Sequence, residues 1–218
     1  MTPQFKAHLR HAISAAAIAL AAGVATGAAP EAAFESAFRN FISASSGDKS
    51  ATEPAAEAFE TLLKADPTNP VLMAYAGAST TMRAGTTMLP WKKMSYAEDG
   101  MALLDKALAL LGPAHDAPIQ HGTPGSLEVR FVAANAFLAV PGFMNRGARG
   151  AKLLNEVLAS PLFAKAPLPF QGSVWMRAAA LATKEQRSDD ARRFLNEVIT
   201  HNAPQAEKAR ALLNGPAA

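Results

Sequence analysis

The chain contains no cysteine. Thiolate nucleophiles, disulfides and cysteine-ligated metals are therefore excluded, and histidine, carboxylate and arginine are left to do chemistry. His115-Asp116 and His121 share one Pro/Gly-rich stretch. Imidazole and carboxylate are competent metal ligands, but polar loop residues read the same way, and that is the expectation here. Glu98-Asp99 is a paired carboxylate placed early in an expected helix. Adjacent helical residues point in different directions and do not readily share a substrate, and acids near a helix start complement its dipole. No glycine-rich phosphate loop, Gly-x-Ser-x-Gly elbow or His-Glu-x-x-His helix occurs. No catalytic residue, cofactor or metal is expected.

Two groups of residues suit binding better than catalysis. The first is Trp91, Lys92, Lys93 and Tyr96, in the stretch Pro90 to Gly100. The expectation is that Trp91 and Tyr96 pack a long turn onto its neighbours; the alternative is an aromatic patch with cations that holds a peptide or an anionic group. The second is Arg130, Asn135, Arg146 and Arg149. Arg130 and Asn135 fall on a helix otherwise apolar from Phe131 to Val140, where polar groups need partners. They face a groove, or they satisfy the ends of neighbouring loops.

Charge narrows the partner class. The formal net charge is +3, of which Lys6 and Arg10 belong to a segment expected to be removed. No run of lysine and arginine interleaved with aromatics offers a phosphate footprint, so nucleic acid is not an expected partner. Residues 31–66 carry seven acids against three bases, and residues 128–218 twelve bases against seven acids. That asymmetry would give a binding surface polarity, but solvated helix faces that happen to differ are the expectation.

The elements that must position these groups begin after a targeting signal. Met1 to His11 has Lys6 and Arg10 and no acid, Ala12 to Ala25 is a nearly unbroken apolar run, and Ala25-Thr26-Gly27-Ala28-Ala29 supplies small residues. This is the three-part plan of a secretory signal peptide over residues 1–28, cleaved near Gly27-Ala28, which makes the protein periplasmic or secreted. The run is shorter than the roughly 20 residues a membrane-spanning helix needs. A membrane enters only through a partner or through an uncleaved signal.

Residues 30–218 are expected to form one domain of helices. Half of the chain is apolar and only 7% aromatic, with alanine, the best helix former, supplying much of the apolar share. Apolar stripes at helical spacing place helices at Glu31–Ala44, Glu53–Ala65, Pro70–Thr87, Trp91–Leu111, Ser126–Val140, Ala148–Leu158, Gln171–Thr183, Ser188–Thr200 and Pro204–Leu213. In the first, Phe34, Phe38 and either Phe41 or Ile42 share a face. Longer inserted turns are expected at Met88–Tyr96 and Val140–Gly147, and no run alternates as a strand would.

An internal repeat runs through these helices. Leu154-Asn155-Glu156-Val157-Leu158 matches Leu195-Asn196-Glu197-Val198-Ile199, 41 residues on. Leu104-Asp105-Lys106-Ala107-Leu108 and Phe59-Glu60-Thr61-Leu62-Leu63 share the pattern, and Pro67, Gly112-Pro113, Pro161 and Pro204 end the units. Within each unit a small residue precedes a large apolar one by four and a small or apolar one by seven: Ala55, Phe59 and Leu62; Gly100, Leu104 and Ala107; Gly150, Leu154 and Val157; Ala191, Leu195 and Val198. Trp175, Ala178 and Ala179 mark the preceding helix of the last unit. This pattern resembles the tetratricopeptide repeat, at a spacing of 41 to 50 residues against about 34 in that family.

The resemblance implies an all-α fold: a right-handed α-solenoid of about four tetratricopeptide-like helix-turn-helix pairs with a short C-terminal capping helix. It also implies a non-catalytic scaffold that holds a protein or peptide on its concave face. The alternative is an accessory subunit stably docked on a cell-envelope complex. Groove positions carried over from carboxylate-gripping members of the family fall at Val129, Val132, Ala136 and Ala139, and at Ser173, Met176, Ala180 and Thr183. They imply a small, mostly apolar groove rather than one for a charged tail.

Overall fold

The computed structural model describes residues 31–215, and within them the chain is all-α. The expected signal peptide lies outside the described residues. Nine α-helices follow one another: α1 (Glu31–Ser45), α2 (Thr52–Ala65), α3 (Pro70–Thr86), α4 (Pro90–Ala109), α5 (Gly125–Ala139), α6 (Gly147–Ala159), α7 (Leu168–Lys184), α8 (Ser188–Thr200) and α9 (Ala206–Asn214). Helices α1 and α2, α3 and α4, α5 and α6, and α7 and α8 pack as pairs. Pairs join through α2 on α3, α3 and α4 on α5, and α6 on α7, while α9 covers α8. Among the described residues, no helix is long and apolar enough to cross a membrane.

Local chemistry explains the starts and stops. The Asn69 side chain accepts hydrogen bonds from the Val71 and Leu72 N–H groups at 3.0 and 3.2 Å, and Pro70 supplies a first-turn residue with no N–H to lose. Asp189 and Asp190 lie in the first turn of α8, at the positive end of its dipole. Asn145, in the left-handed region at φ 55°, ends the short turn between α5 and α6.

Helix α3 is the centre of the molecule, since every residue from Pro70 to Thr80 is buried. A helix apolar all round has to be covered on every side, and α1, α2, α4 and α5 do this. The closest crossing is between α3 and α4. A Cβ added at Gly100 would lie 2.5 Å from the Gly77 carbonyl oxygen, and one at Gly77 would lie 2.7 Å from that of Gly100. Each repeated small or apolar position is buried, including Ala55, Phe59, Leu104, Ala107, Leu154, Val157, Ala191 and Val198.

Two expectations are corrected and one open alternative is resolved. Met88–Tyr96 is not an inserted turn: the connection is only Thr87–Leu89, and the rest forms the opening turns of α4 because Pro90 starts a helix and no breaker follows it. Glu98 and Asp99 are consequently the ninth and tenth residues of α4, beyond the first turn over which the dipole acts. Helix α7 begins at Leu168, earlier than Gln171, with Pro169 tolerated in its first turn. In α1, Phe41 joins the buried face with Phe34 and Phe38, while Ile42 is 45% exposed.

Candidate functional site

Helices α4, α5 and α6 together form a groove of about 390 Å³, lined by Leu108, Leu111, Leu153, Arg130, Arg149, Lys152 and Glu156. The last turn of α4 supplies Leu108 and the segment just past its end supplies Leu111, while α6 presents Arg149, Lys152, Leu153 and Glu156 within two turns, as helical spacing requires. Arg130 comes from α5, where its NH1 donates to the Ser126 carbonyl at 3.1 Å and its Nε lies 3.7 Å from Glu156. Lys152 is more loosely held, 4.0 Å from Glu156 with its side chain 78% exposed. Arg149 and Arg146 share the Asp105 carboxylate at 2.7 and 3.0 Å, and both guanidiniums stand 5.3 Å from the centre of the Phe137 ring. Asp105 and Phe137 thus fix the two arginines at the groove's edge.

Three of the four residues in the second sequence group therefore converge. Asn135 does not: it lies on a different face of α5, where its backbone carbonyl accepts from Arg177 NH2 at 3.2 Å. The groove positions carried over from the repeat family divide. Val129, Val132 and Ala136 are buried in the core, while Ala139, Ala180 and Thr183 are exposed. On α7, Ser173 is covered by Gln205, whose amide donates to its hydroxyl at 3.0 Å.

The first group stands apart, since 17 residues of helix separate Trp91 from Leu108, about 25 Å at 1.5 Å per residue. Trp91 is 68% exposed and so does not pack the turn. Lys92 and Lys93 are exposed. Tyr96 alone turns inward, with the Arg83 guanidinium 5.8 Å from its ring centre. Arg83 is itself buried and held by Glu53 at 2.7 Å and by Glu60.

The histidine loop binds to the fold rather than gathering ligands. Gly112 N–H donates to His115 Nδ1 at 3.0 Å, and Asp116 accepts from the Ser126 hydroxyl at 2.5 Å. His121 Nε2 lies 2.5 Å from Glu35 on α1. Its ring stands 4.7 Å from that of Phe38, with its backbone left-handed at φ 60°. Among the described residues, no three histidine or carboxylate side chains come together as metal ligands.

Sequence reasoning missed two further features. Tyr75 is buried among Phe34, Phe38, Phe41 and Phe59, stacked on Phe59 at 4.8 Å, and its hydroxyl donates to Glu128. Burial pushes the Glu128 carboxyl above its ordinary range, and burial with the neighbouring Glu128 charge raises the Tyr75 phenol further from ionisation. These partners are 53 residues apart, beyond any local signal. A buried Tyr paired with a Glu is a structural hydrogen bond here, since neither lines a groove. Arg177 is the second: half-buried, with no carboxylate partner among the described residues and its charge disfavoured by burial. No protein-family model, curated protein or solved structure matches the chain.

Proposed function

We propose that the chain is a non-catalytic binding scaffold, a tetratricopeptide-like right-handed stack of four helix pairs capped by α9. It is exported by its N-terminal signal, and it holds a protein or peptide segment in the groove between α4, α5 and α6. One observation carries this reading: Arg130, Arg149 and Lys152 surround a floor of three leucines, with Glu156 the one carboxylate in the lining. An apolar floor with a few convergent charges at its rim is the usual make-up of a peptide-binding cleft. The excess of cations selects an occupant that combines an apolar side chain with one or more carboxylates. The repeat supports the architecture. Small residues stand where α3 crosses α4 and where α5 crosses α6, and the Cβ missing at Gly150 would meet Leu138 Cγ at 2.8 Å.

The test is selection of random dodecapeptides on the immobilised full-length chain. The reading predicts enrichment of acidic-apolar sequences whose binding weakens at least about tenfold, roughly 1.4 kcal/mol, in Arg130→Glu/Lys152→Glu. It also predicts weaker binding as salt rises. No enrichment, or enriched peptides that bind the variant equally well, would overturn it.

A further inference from the structure

The turn between α3 and α4 carries four exposed apolar side chains within seven residues. Met88 is 86% exposed, Leu89 39%, Trp91 68% and Met94 40%. Isolated exposed apolar residues need no explanation, but a contiguous group does. The charged side chains interleaved with it are Lys92 and Lys93. Both are exposed, and neither makes an ion pair among the described residues. The nearest acids along the chain, Glu98 and Asp99, begin only after Tyr96 and Ala97 have turned inward, and Asp99 accepts from Ser95 at 3.0 Å.

The composition of this tip favours one occupant. None of its residues lines the groove between α4, α5 and α6 or the cleft bounded by Phe163, Trp175 and Phe194. Met88 and Trp91 project outward instead. Tryptophan beside unbranched apolar side chains and lysines is the composition that settles at a bilayer interface: the indole at headgroup depth, the lysines against anionic lipid. The tip is also held firmly. Pro90 fixes the start of α4, Gly77 and Gly100 lock α4 against α3, and Arg83 pins the end of α3 to Glu53 while lying near Tyr96. A preorganised tip loses little conformational freedom on binding.

We propose that the α3–α4 tip, through Met88, Leu89, Trp91 and Met94 with Lys92 and Lys93, docks on the interface of an anionic lipid bilayer. This surface is separate from the groove and does not depend on what the groove holds.

The experiment follows Trp91 fluorescence in the full-length chain mixed with phosphatidylglycerol-containing vesicles that carry brominated acyl chains. Phosphatidylcholine vesicles serve as the neutral control. The proposal predicts a blue shift and bromine quenching on anionic vesicles. The signal disappears in Trp91→Phe, which assigns it to the tip and not to Trp175. Lys92→Glu/Lys93→Glu lowers anionic-vesicle partitioning of the tip at least about tenfold, since each lysine near such a surface contributes about a fivefold preference. Three results would overturn the proposal. The chain sediments with vesicles while Trp91 stays unquenched, which places the contact elsewhere in the chain. Trp91 is shielded from acrylamide without lipid, which means that residues 1–30 or a second copy cover it. Or Trp91→Ala abolishes capture of a protein by a tip that vesicles leave unquenched, which makes the tip a protein-docking surface.

Discussion

At the scale of single residues, the most consequential pair is Tyr75 and Glu128. Burial raises the folded-state pKa of Glu128 above its unfolded value, so the fold disfavours its ionised form. That cost is full above the folded pKa and vanishes below the unfolded one. Acidification through this window therefore stabilises the protein at this site, with His121, Glu35 and Tyr75 the polar groups around it. Glu128→Gln keeps an acceptor for the Tyr75 hydroxyl and removes the titration. Urea midpoints measured from pH 4 to 8 are predicted to gain a steeper acid-side decline in the variant, because the compensating term at Glu128 is gone. Tyr75→Phe keeps the ring stacked on Phe59 but leaves the carboxylate without its donor, at a cost of about 1–3 kcal/mol, read from the same denaturation curves. Arg177 should behave in the opposite sense. Its guanidinium is half-buried without a carboxylate, so Arg177→Met is predicted to be neutral or stabilising by up to about 1 kcal/mol. None of these relations was readable beforehand. Arg130 stood out by type alone, as a polar group on an otherwise apolar helix, whereas its meeting with Glu156 of α6 did not.

At the scale of elements, packing at the crossings dominates. Gly100→Ala would press a methyl group against the Gly77 carbonyl and the Thr81 N–H at 2.5 and 2.7 Å. Backbone cannot yield easily, so the cost is predicted at about 1–3 kcal/mol. Gly150→Ala meets chiefly the Leu138 side chain at 2.8 Å, with backbone no closer than 3.1 Å; that side chain can rotate, and the cost should be smaller. Thermal denaturation of the two variants side by side tests the order. Helix positions were legible because apolar periodicity, proline stops and the Asn69–Pro70 start are local signals. The start of α4 was legible to within one residue, but the roles of Trp91 and Tyr96, both expected to pack a turn, were not. Only the three-dimensional path shows that one faces solvent and the other Arg83.

Over the whole molecule, contacts run mainly between neighbouring helices, with α3 wrapped by four others and α9 touching chiefly α8. In such a chain, protection follows position. Amide hydrogen exchange is predicted to be slowest in the middle of α3 and fastest in α9; uniform protection would contradict a stack of separable pairs. The all-α class was legible in alanine content and spacing. The proposed binding groove was not, because it joins residues from Leu108 to Glu156 brought together from distant parts of the chain, and because Val129, Val132 and Ala136, expected to line a groove on α5, are buried.

The most direct test of the scaffold account is site-specific photo-crosslinking in cells, with benzoylphenylalanine placed at Lys152 in the groove or at Glu57, exposed on α2. The account predicts a discrete adduct from position 152 that Arg130→Glu abolishes, and none from position 57. Equal adducts from both positions, or an adduct at 152 indifferent to Arg130, would contradict it.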